Sequence, residues 1–126
     1  MSKKTAIVVF ADPQGGGEEA LGRLFNALFL AYELKEQDLP VDLIFQGAGA
    51  RWPEVIAQPG HPAQALYGAV QDKVHGVCGG CADVFGAARG AEAAGARLVR
   101  ERMIPGTSGV IDLSRYVGDE ARLVTF

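Results

Sequence analysis

Both cysteines of the 126-residue chain lie in one short motif, Cys78-Gly79-Gly80-Cys81, called the CGGC motif below. The residues directly before it have the apolar pattern of a buried strand, and the alanine-rich stretch after it favours a helix. Cysteines at a helix N-terminus meet unpaired backbone N–H groups, which favour the thiolate. Two such thiols can form a disulfide, hold a persulfide sulfur or supply half of a metal site. Two small thiols that only pack are the structural alternative.

Dithiol–disulfide exchange is one chemistry that the motif allows. A thioredoxin-like protein needs CxxC between a strand and a helix, and the CGGC motif meets that condition locally. In a thioredoxin fold, however, the motif comes early in the chain, whereas here two strand–helix pairs precede it. The order of the elements therefore argues against a thioredoxin fold, although a redox role for the two thiols stays open.

A zinc site is a second possibility, because His75, Cys78 and Cys81 are all ligands that zinc accepts. Side chains alternate along a strand, so residues 74, 76 and 78 should share one face while 75 and 77 point to the other. His75 would then face away from Cys78. We therefore predict no metal site and interpret His75 as a strand histidine packed against a helix.

Strands and helices alternate along the sequence. Strands are predicted at 5–10, 41–45, 74–77, 97–103 and 121–126, and helices at 18–37, 63–73, 82–95 and 110–117. This order predicts a mainly parallel sheet with helices on both sides, within a single domain over residues 1–126.

The loops that follow parallel strands meet at one edge of the sheet, where such folds bind ligands. The glycine-rich loop 15–17, the loop 46–49 and the CGGC motif should therefore lie together. The long connection 50–62 is rich in Pro and Gly and contains Trp52, which suggests a binding surface or a subunit interface. The predicted ligand-binding residues are Gly47, Gly49, Trp52, Gly79 and Gly80.

Composition narrows the class of protein. A net charge of −3 without any basic run argues against nucleic acid as a partner. No apolar run approaches the roughly 18 residues needed to cross a bilayer, so no membrane association is expected. The start of the chain shows no signal-peptide pattern, and we expect a cytoplasmic protein. No motif in the chain calls for a cofactor.

Four stretches together resemble the DsrE/DsrF-like (YchN-like) sulfur-relay family. They are Thr5–Phe10 with Glu19–Arg23, the run Phe45–Pro53 (FQGAGARWP) and the run Gly76–Gly86 (GVCGGCADVFG). The resemblance extends to the Pro105–Gly109 turn and to the final Val-Thr-Phe. It implies a three-layer α/β/α fold with a mainly parallel five-stranded sheet and flavodoxin-like layering. It also implies a homo-oligomer, usually a trimer or a hexamer.

The resemblance also implies a function. The best understood members of the family pass sulfur to other proteins as a cysteine persulfide held after the third or fourth strand, and Cys78 matches that position. Cys81 is not a general feature of the family. The sequence therefore predicts a sulfur-relay protein in which Cys78 holds the sulfur and Cys81 resolves it, with a sulfur-donor or acceptor protein as partner. A dithiol–disulfide redox protein and a non-catalytic, oligomeric small-ligand-binding module stay open, and so does enzymatic activity.

Overall fold

A five-stranded parallel sheet forms the centre of the protein. The computed structural model describes residues 3–126, and the strands lie in the order β4-β3-β2-β1-β5. All four strand pairs are parallel, so the predicted sheet is confirmed. The strands are β1 (Thr5–Val9), β2 (Val41–Phe45), β3 (Val74–Cys78), β4 (Leu98–Val99) and β5 (Arg122–Thr125).

Helices cover both faces of this sheet, which gives the predicted three-layer arrangement. The α-helices are α1 (Gly17–Glu36), α2 (Trp52–Ile56), α3 (Gln64–Val70), α4 (Gly79–Val84), α5 (Ala88–Ala93) and α6 (Ser114–Gly118). Short 3₁₀ helices span Gly47–Arg51 and Gln71–Lys73. None of the helices within residues 3–126 combines the length and the apolar character that a bilayer crossing requires.

The two faces of the sheet carry separate cores. On what we call the α1 face, Ile7 and Val9 pack with buried side chains from α1 to α5. On the α6 face, Ala6 and Val8 pack under a thinner cover that includes Ile111 and Tyr116. Strand alternation sends successive residues of β1 to opposite faces, and all five of its residues are buried. The continuous apolar run of this strand is therefore explained by burial on both sides.

The structure corrects several predicted boundaries. The connection 50–62, predicted as a loop, is partly helical, and the predicted helix 82–95 is divided into α4 and α5. The predicted strand 97–103 shrinks to two residues, because Arg102 pairs in antiparallel fashion with Val110 and the chain leaves the sheet. That pairing also prevents a helix from starting at residue 110. We call residues 100–110 the 100–110 hairpin.

A bulge in β3 overturns the argument that separated His75 from Cys78. Leu43 pairs with Val74 but Ile44 pairs with Gly76, so β3 holds one extra residue. Gly76 has φ of 154°, and a Cβ there would stand 2.9 Å from a backbone oxygen of the neighbouring chain segment. Strict alternation is thereby broken, and the prediction that residues 74 and 78 share a face is wrong.

Val74 and Val77 both pack on the α1 face, whereas Cys78 packs on the α6 face. His75 Nε2 lies 3.1 Å from Glu101 Oε2 and 3.2 Å from Arg115 Nη2, and Arg115 belongs to α6. His75 therefore shares the α6 side with Cys78 and rests against a helix, as interpreted from the sequence. Within residues 3–126, no three His, Cys, Asp or Glu side chains cluster closely enough to hold a metal ion.

Candidate functional site: the CGGC cysteine pair

The CGGC motif lies at the carboxyl edge of the sheet. Cys78 is the last residue of β3, and α4 begins at the next residue, so Cys81 lies in the first turn of that helix. The backbone N–H of Gly47, in the loop after β2, donates a hydrogen bond to the Cys81 sulfur. Arg51, further along the same connection, reaches Asp12 in the loop after β1. The prediction that these three loops meet at one edge is confirmed.

The two thiols are free and lie within hydrogen-bonding reach of each other. Cys78 is 0% exposed and packs among Ile44, Val99 and Ile111 on the α6 face, whereas Cys81 is partly exposed. The Cys81 S–H donates a hydrogen bond to the Cys78 sulfur. The pair is thus a dithiol in which one member is enclosed and the other is reachable.

The environment of Cys78 favours its thiolate. The hydrogen bond from the Cys81 thiol, with backbone N–H donors from Cys81, Ile111 and Gly80, lowers the pKa of Cys78 to about 6 in spite of its burial. Because α4 has only six residues, these individual N–H groups, and not a long helix dipole, supply the effect. The lowered pKa of Cys78 favours its thiolate at neutral pH.

The environment of Cys81 favours its protonated thiol. Its S–H is committed to the Cys78 sulfur, and this hydrogen bond raises the pKa of Cys81, as does burial. The Gly47 N–H works in the other direction but is a single donor. More backbone N–H groups lie against the Cys78 sulfur than against the Cys81 sulfur, which favours the negative charge on Cys78.

The 100–110 hairpin covers the motif. A Cβ on Gly79 would stand 2.6 Å from Arg100 Cγ, and one on Gly80 would stand 3.0 Å from Val110 Cγ1. The Gly80 N–H donates to the Gly109 carbonyl oxygen at 2.7 Å. The two glycines of the motif are therefore required for close packing under the hairpin. Both glycines, predicted as ligand-binding residues, are buried in this structure.

Asp83 on α4 binds two side chains of the 100–110 hairpin on its solvent-exposed side. Its carboxylate pairs with Arg100 Nη2 at 3.3 Å and accepts a hydrogen bond from the Ser108 hydroxyl. Arg100 Nη1 also donates to Ser108 Oγ at 3.4 Å. Exposed contacts of this kind contribute little individually. The apolar packing of Val110 and Ile111 is therefore the main seal over Cys78.

Trp52, predicted as a ligand-binding residue, lies in the core of this structure. The side chain is 2% exposed, and its indole N–H donates to the Ala11 carbonyl oxygen at 2.8 Å. The residue opens α2 and packs with the α1-face core. A buried indole with its only donor satisfied has no surface to offer a ligand. The sequence could not distinguish this from exposure, because tryptophan suits both a binding loop and a core.

Gly47 and Gly49 also act in packing. A Cβ on Gly49 would overlap the Val9 carbonyl oxygen, and Gly47 has φ of 59° and lies against Phe10. The open space at this edge lies elsewhere. A groove of about 540 Å³ runs past the ends of β1 and β5, with Phe10, Arg23 and Phe126 in its lining. Gly47, Gly49 and Trp52 do not line it.

Sequence reasoning missed three contributors to the site. Ile111 donates its N–H to Cys78, Arg100 lies on Gly79, and Arg51 fixes the far end of α4. Arg51 Nε donates to the Phe85 carbonyl oxygen at 3.3 Å, and its guanidinium lies 5.4 Å from the centre of the Phe85 ring. No motif or spacing signals these residues, because each is brought to the site by the sheet.

Gln46 is a fourth residue of interest. It follows Phe45, which pairs with Val77, so Gln46 lies beside Cys78 where the two strands end. Its buried Oε1 has no hydrogen-bond partner within residues 3–126. An unsatisfied acceptor at this position suits the S–H of a thiol or a persulfide.

Two solved structures share this architecture. The conserved protein of unknown function BT1422 from Bacteroides thetaiotaomicron superposes with a TM-score of 0.66 at 16% identity, over 98% of this chain and 95% of that one. The ychN protein from E. coli superposes with a TM-score of 0.56 at 22% identity, over 100% of both chains. The chain has a YchN-like fold.

No protein-family model matches the sequence, and no curated protein matches it either. At these identities the two structures establish the fold and nothing finer. The DsrE/YchN-like resemblance is therefore supported at the level of the fold. The function must be argued from the cysteine pair itself.

Proposed function

We propose that this protein is a sulfur-relay protein that carries sulfane sulfur on the CGGC cysteine pair. The observation that carries the proposal is the pair of free thiols at the junction of β3 and α4, of which Cys78 is enclosed and Cys81 is partly exposed. A thiolate is the form of cysteine that attacks sulfur. The YchN-like fold supports a sulfur-relay role, because the resemblance in sequence points to the same family.

The chemistry needs only the two thiols and a donor persulfide. A thiolate of the pair attacks the outer sulfur of the donor, the donor S–S bond breaks, and the donor leaves as a thiolate with the electron pair. The sulfur is then held as a cysteine persulfide. An acceptor thiolate can take the outer sulfur in the same manner, or the second cysteine of the pair can attack the inner sulfur and release hydrosulfide, leaving a disulfide.

The proposed location, oligomeric state and partners follow from the sequence and from the exposed side chains of α1. We propose a cytoplasmic homo-oligomer of single domains over residues 1–126, trimeric or hexameric, with a sulfur donor or acceptor protein as partner. Phe29 and Tyr32 on α1 are 47% and 39% exposed, which supports a protein contact on that helix. Neither nucleic acid nor a membrane forms part of the proposal.

Dithiol–disulfide exchange is the second candidate, and the same pair of free thiols favours it. In that function the pair cycles between dithiol and disulfide, and no sulfur atom is carried. The two candidates differ in one product. Only a sulfur carrier gains a sulfur atom from a persulfide donor or releases hydrosulfide when it resolves one.

We expect the wild-type chain to take up sulfane sulfur from glutathione persulfide. Intact-mass spectrometry after removal of the donor should show either one added sulfur or the loss of two hydrogens together with released hydrosulfide. The matched control is the double variant Cys78→Ser, Cys81→Ser, which has no thiol and should remain unchanged. A wild-type chain that neither gains sulfur nor releases hydrosulfide would rule the proposal out.

A further inference from the structure

We propose that Cys81, and not Cys78, is the cysteine that meets the sulfur donor, and that Cys78 acts behind it as the resolving thiolate. This inference rests on the proposed sulfur-relay function and assigns the roles within the pair. It reverses the order expected from the sequence, in which Cys78 holds the sulfur.

Access is the first argument. Cys78 is 0% exposed because it ends a central strand and faces the α6 face, where Val99 and Ile111 pack against it. Arg100 lies on the adjoining Gly79. Cys81 lies three residues further on, on α4, and is partly exposed. A donor that approaches from solvent therefore meets Cys81 before it meets Cys78.

The closeness of the two thiols is the second argument. They lie in one β3–α4 junction, three residues apart, so the Cys78 sulfur can receive the proton as Cys81 attacks. The Gly47 N–H already donates to the Cys81 sulfur and stabilises the negative charge that develops there. Because the pKa of Cys81 is raised and that of Cys78 is lowered, the proton passes to Cys78 only as the new bond to the donor sulfur forms.

The first step balances with a persulfide donor RSSH. The Cys81 sulfur bonds to the outer sulfur of the donor, the donor S–S bond breaks and RS⁻ leaves, while the Cys81 proton moves to the Cys78 sulfur. The products are a Cys81 persulfide and a neutral Cys78 thiol. The total charge is unchanged, because the negative charge passes from Cys78 to the leaving thiolate.

The second step uses Cys78 as the nucleophile. Cys78 loses its proton to solvent again and attacks the inner sulfur of the Cys81 persulfide, which expels hydrosulfide and forms the Cys78–Cys81 disulfide. A thiol reductant supplies the two electrons that restore the dithiol. An acceptor thiolate can instead take the outer sulfur from Cys81 directly, in which case Cys78 is not consumed.

Limiting alkylation of the wild-type chain tests the order without any variant. We expect a limiting amount of iodoacetamide, followed by peptide mapping, to modify Cys81 at least about tenfold faster than Cys78, because the enclosed sulfur is shielded. Modification of Cys78 first would overturn the inference. Because this experiment uses only the wild-type chain, its result does not depend on whether a variant folds.

Sulfur loading of the single variants tests the assignment itself. With glutathione persulfide, Cys78→Ser should retain a persulfide on Cys81, since nothing resolves it, whereas Cys81→Ser should load at least about tenfold more slowly. Circular dichroism confirms that both variants are folded. Equal loading of the two variants, or loading of Cys81→Ser alone, would contradict the inference while leaving the sulfur-relay function intact. Absence of sulfur on every chain, with no hydrosulfide released, would overturn that function and this role for Cys81 with it.

Discussion

Titration of the thiols is expected to show one thiolate per chain forming near pH 6, since the pKa of Cys78 is lowered to about 6. An ordinary cysteine ionises near pH 8.5, so the pair should hold roughly 30-fold more thiolate at pH 7 than an unperturbed thiol. The reason is the set of donors around Cys78, chiefly the Cys81 thiol and the backbone N–H groups of Cys81 and Ile111. Ultraviolet absorbance of the thiolate measures this directly.

The matched variant for this titration is Cys81→Ala, which removes the S–H donor but leaves the backbone donors in place. The pKa of Cys78 should then rise by about one unit or more, because the strongest donor to the Cys78 sulfur is lost. Cys78→Ala should abolish the step near pH 6. A wild-type chain with no thiolate below pH 8 would contradict the assigned hydrogen bonds.

The same shift has a consequence for stability. The pKa of Cys78 is lower in the folded chain than in the unfolded one, so the unfolded state binds more protons between about pH 6 and about pH 8.5. The ionised Cys78 therefore contributes fully to the free energy of unfolding above about pH 8.5, the pKa of the thiol in the unfolded chain. This contribution is lost as the pH falls through 6, the pKa of Cys78 in the folded chain. Urea denaturation of the wild type should show this loss on acidification, relative to the Cys78→Ala chain.

Gly49→Ala is expected to lower the free energy of unfolding by about 3 kcal/mol or more, since overpacking against rigid backbone is costly. The new Cβ would overlap the Val9 carbonyl oxygen and stand 2.9 Å from the Val9 carbonyl carbon. Val9 ends β1, which lies between β2 and β5 in the sheet, and its carbonyl accepts the Gln46 N–H at 3.0 Å. The obstacle is thus backbone that is already held in place and cannot move aside.

Gly22→Ala is the matched control for this substitution. Gly22 lies inside α1, and a Cβ there would meet nothing within 4 Å. The variant should be more stable than the wild type by about 0.5–1 kcal/mol, because alanine is the better helix former. Urea denaturation measures both effects. A Gly49→Ala chain as stable as the wild type would show that the loop after β2 is not packed against β1.

The fold was largely predictable because its signals are local. The apolar run of β1 and the long amphipathic stretch of α1 were recognised close to their observed bounds, as was β2. Each element is defined by its own residues. The 100–110 hairpin is not predictable from its own residues, because the pairing of Arg102 with Val110 is a tertiary contact. The β-propensity of residues 97–103 instead predicts a longer strand of the sheet.

The site was predictable in its residues but not in its geometry. The CGGC motif and its place at the end of β3 followed from the sequence. The burial of Cys78 depends on Ile111, which lies more than thirty residues away in the sequence. It also depends on the face of β3 from which the Cys78 side chain projects. A bulge at Gly76 sets that face, and a single glycine gives no certain sign of one. The burial of Trp52 is equally hard to predict, since its hydrogen-bond partner Ala11 is remote in sequence.

Single-turnover sulfur transfer tests the proposed function most directly, because a relay must both take up sulfur and give it away. The chain is loaded with glutathione persulfide, freed of donor, and mixed with an excess of an acceptor thiol. One sulfur, or the hydrosulfide derived from it, should leave each loaded chain, and the double variant Cys78→Ser, Cys81→Ser should deliver none. Sulfur that does not load, or that loads equally on the double variant, would contradict a relay through the CGGC pair.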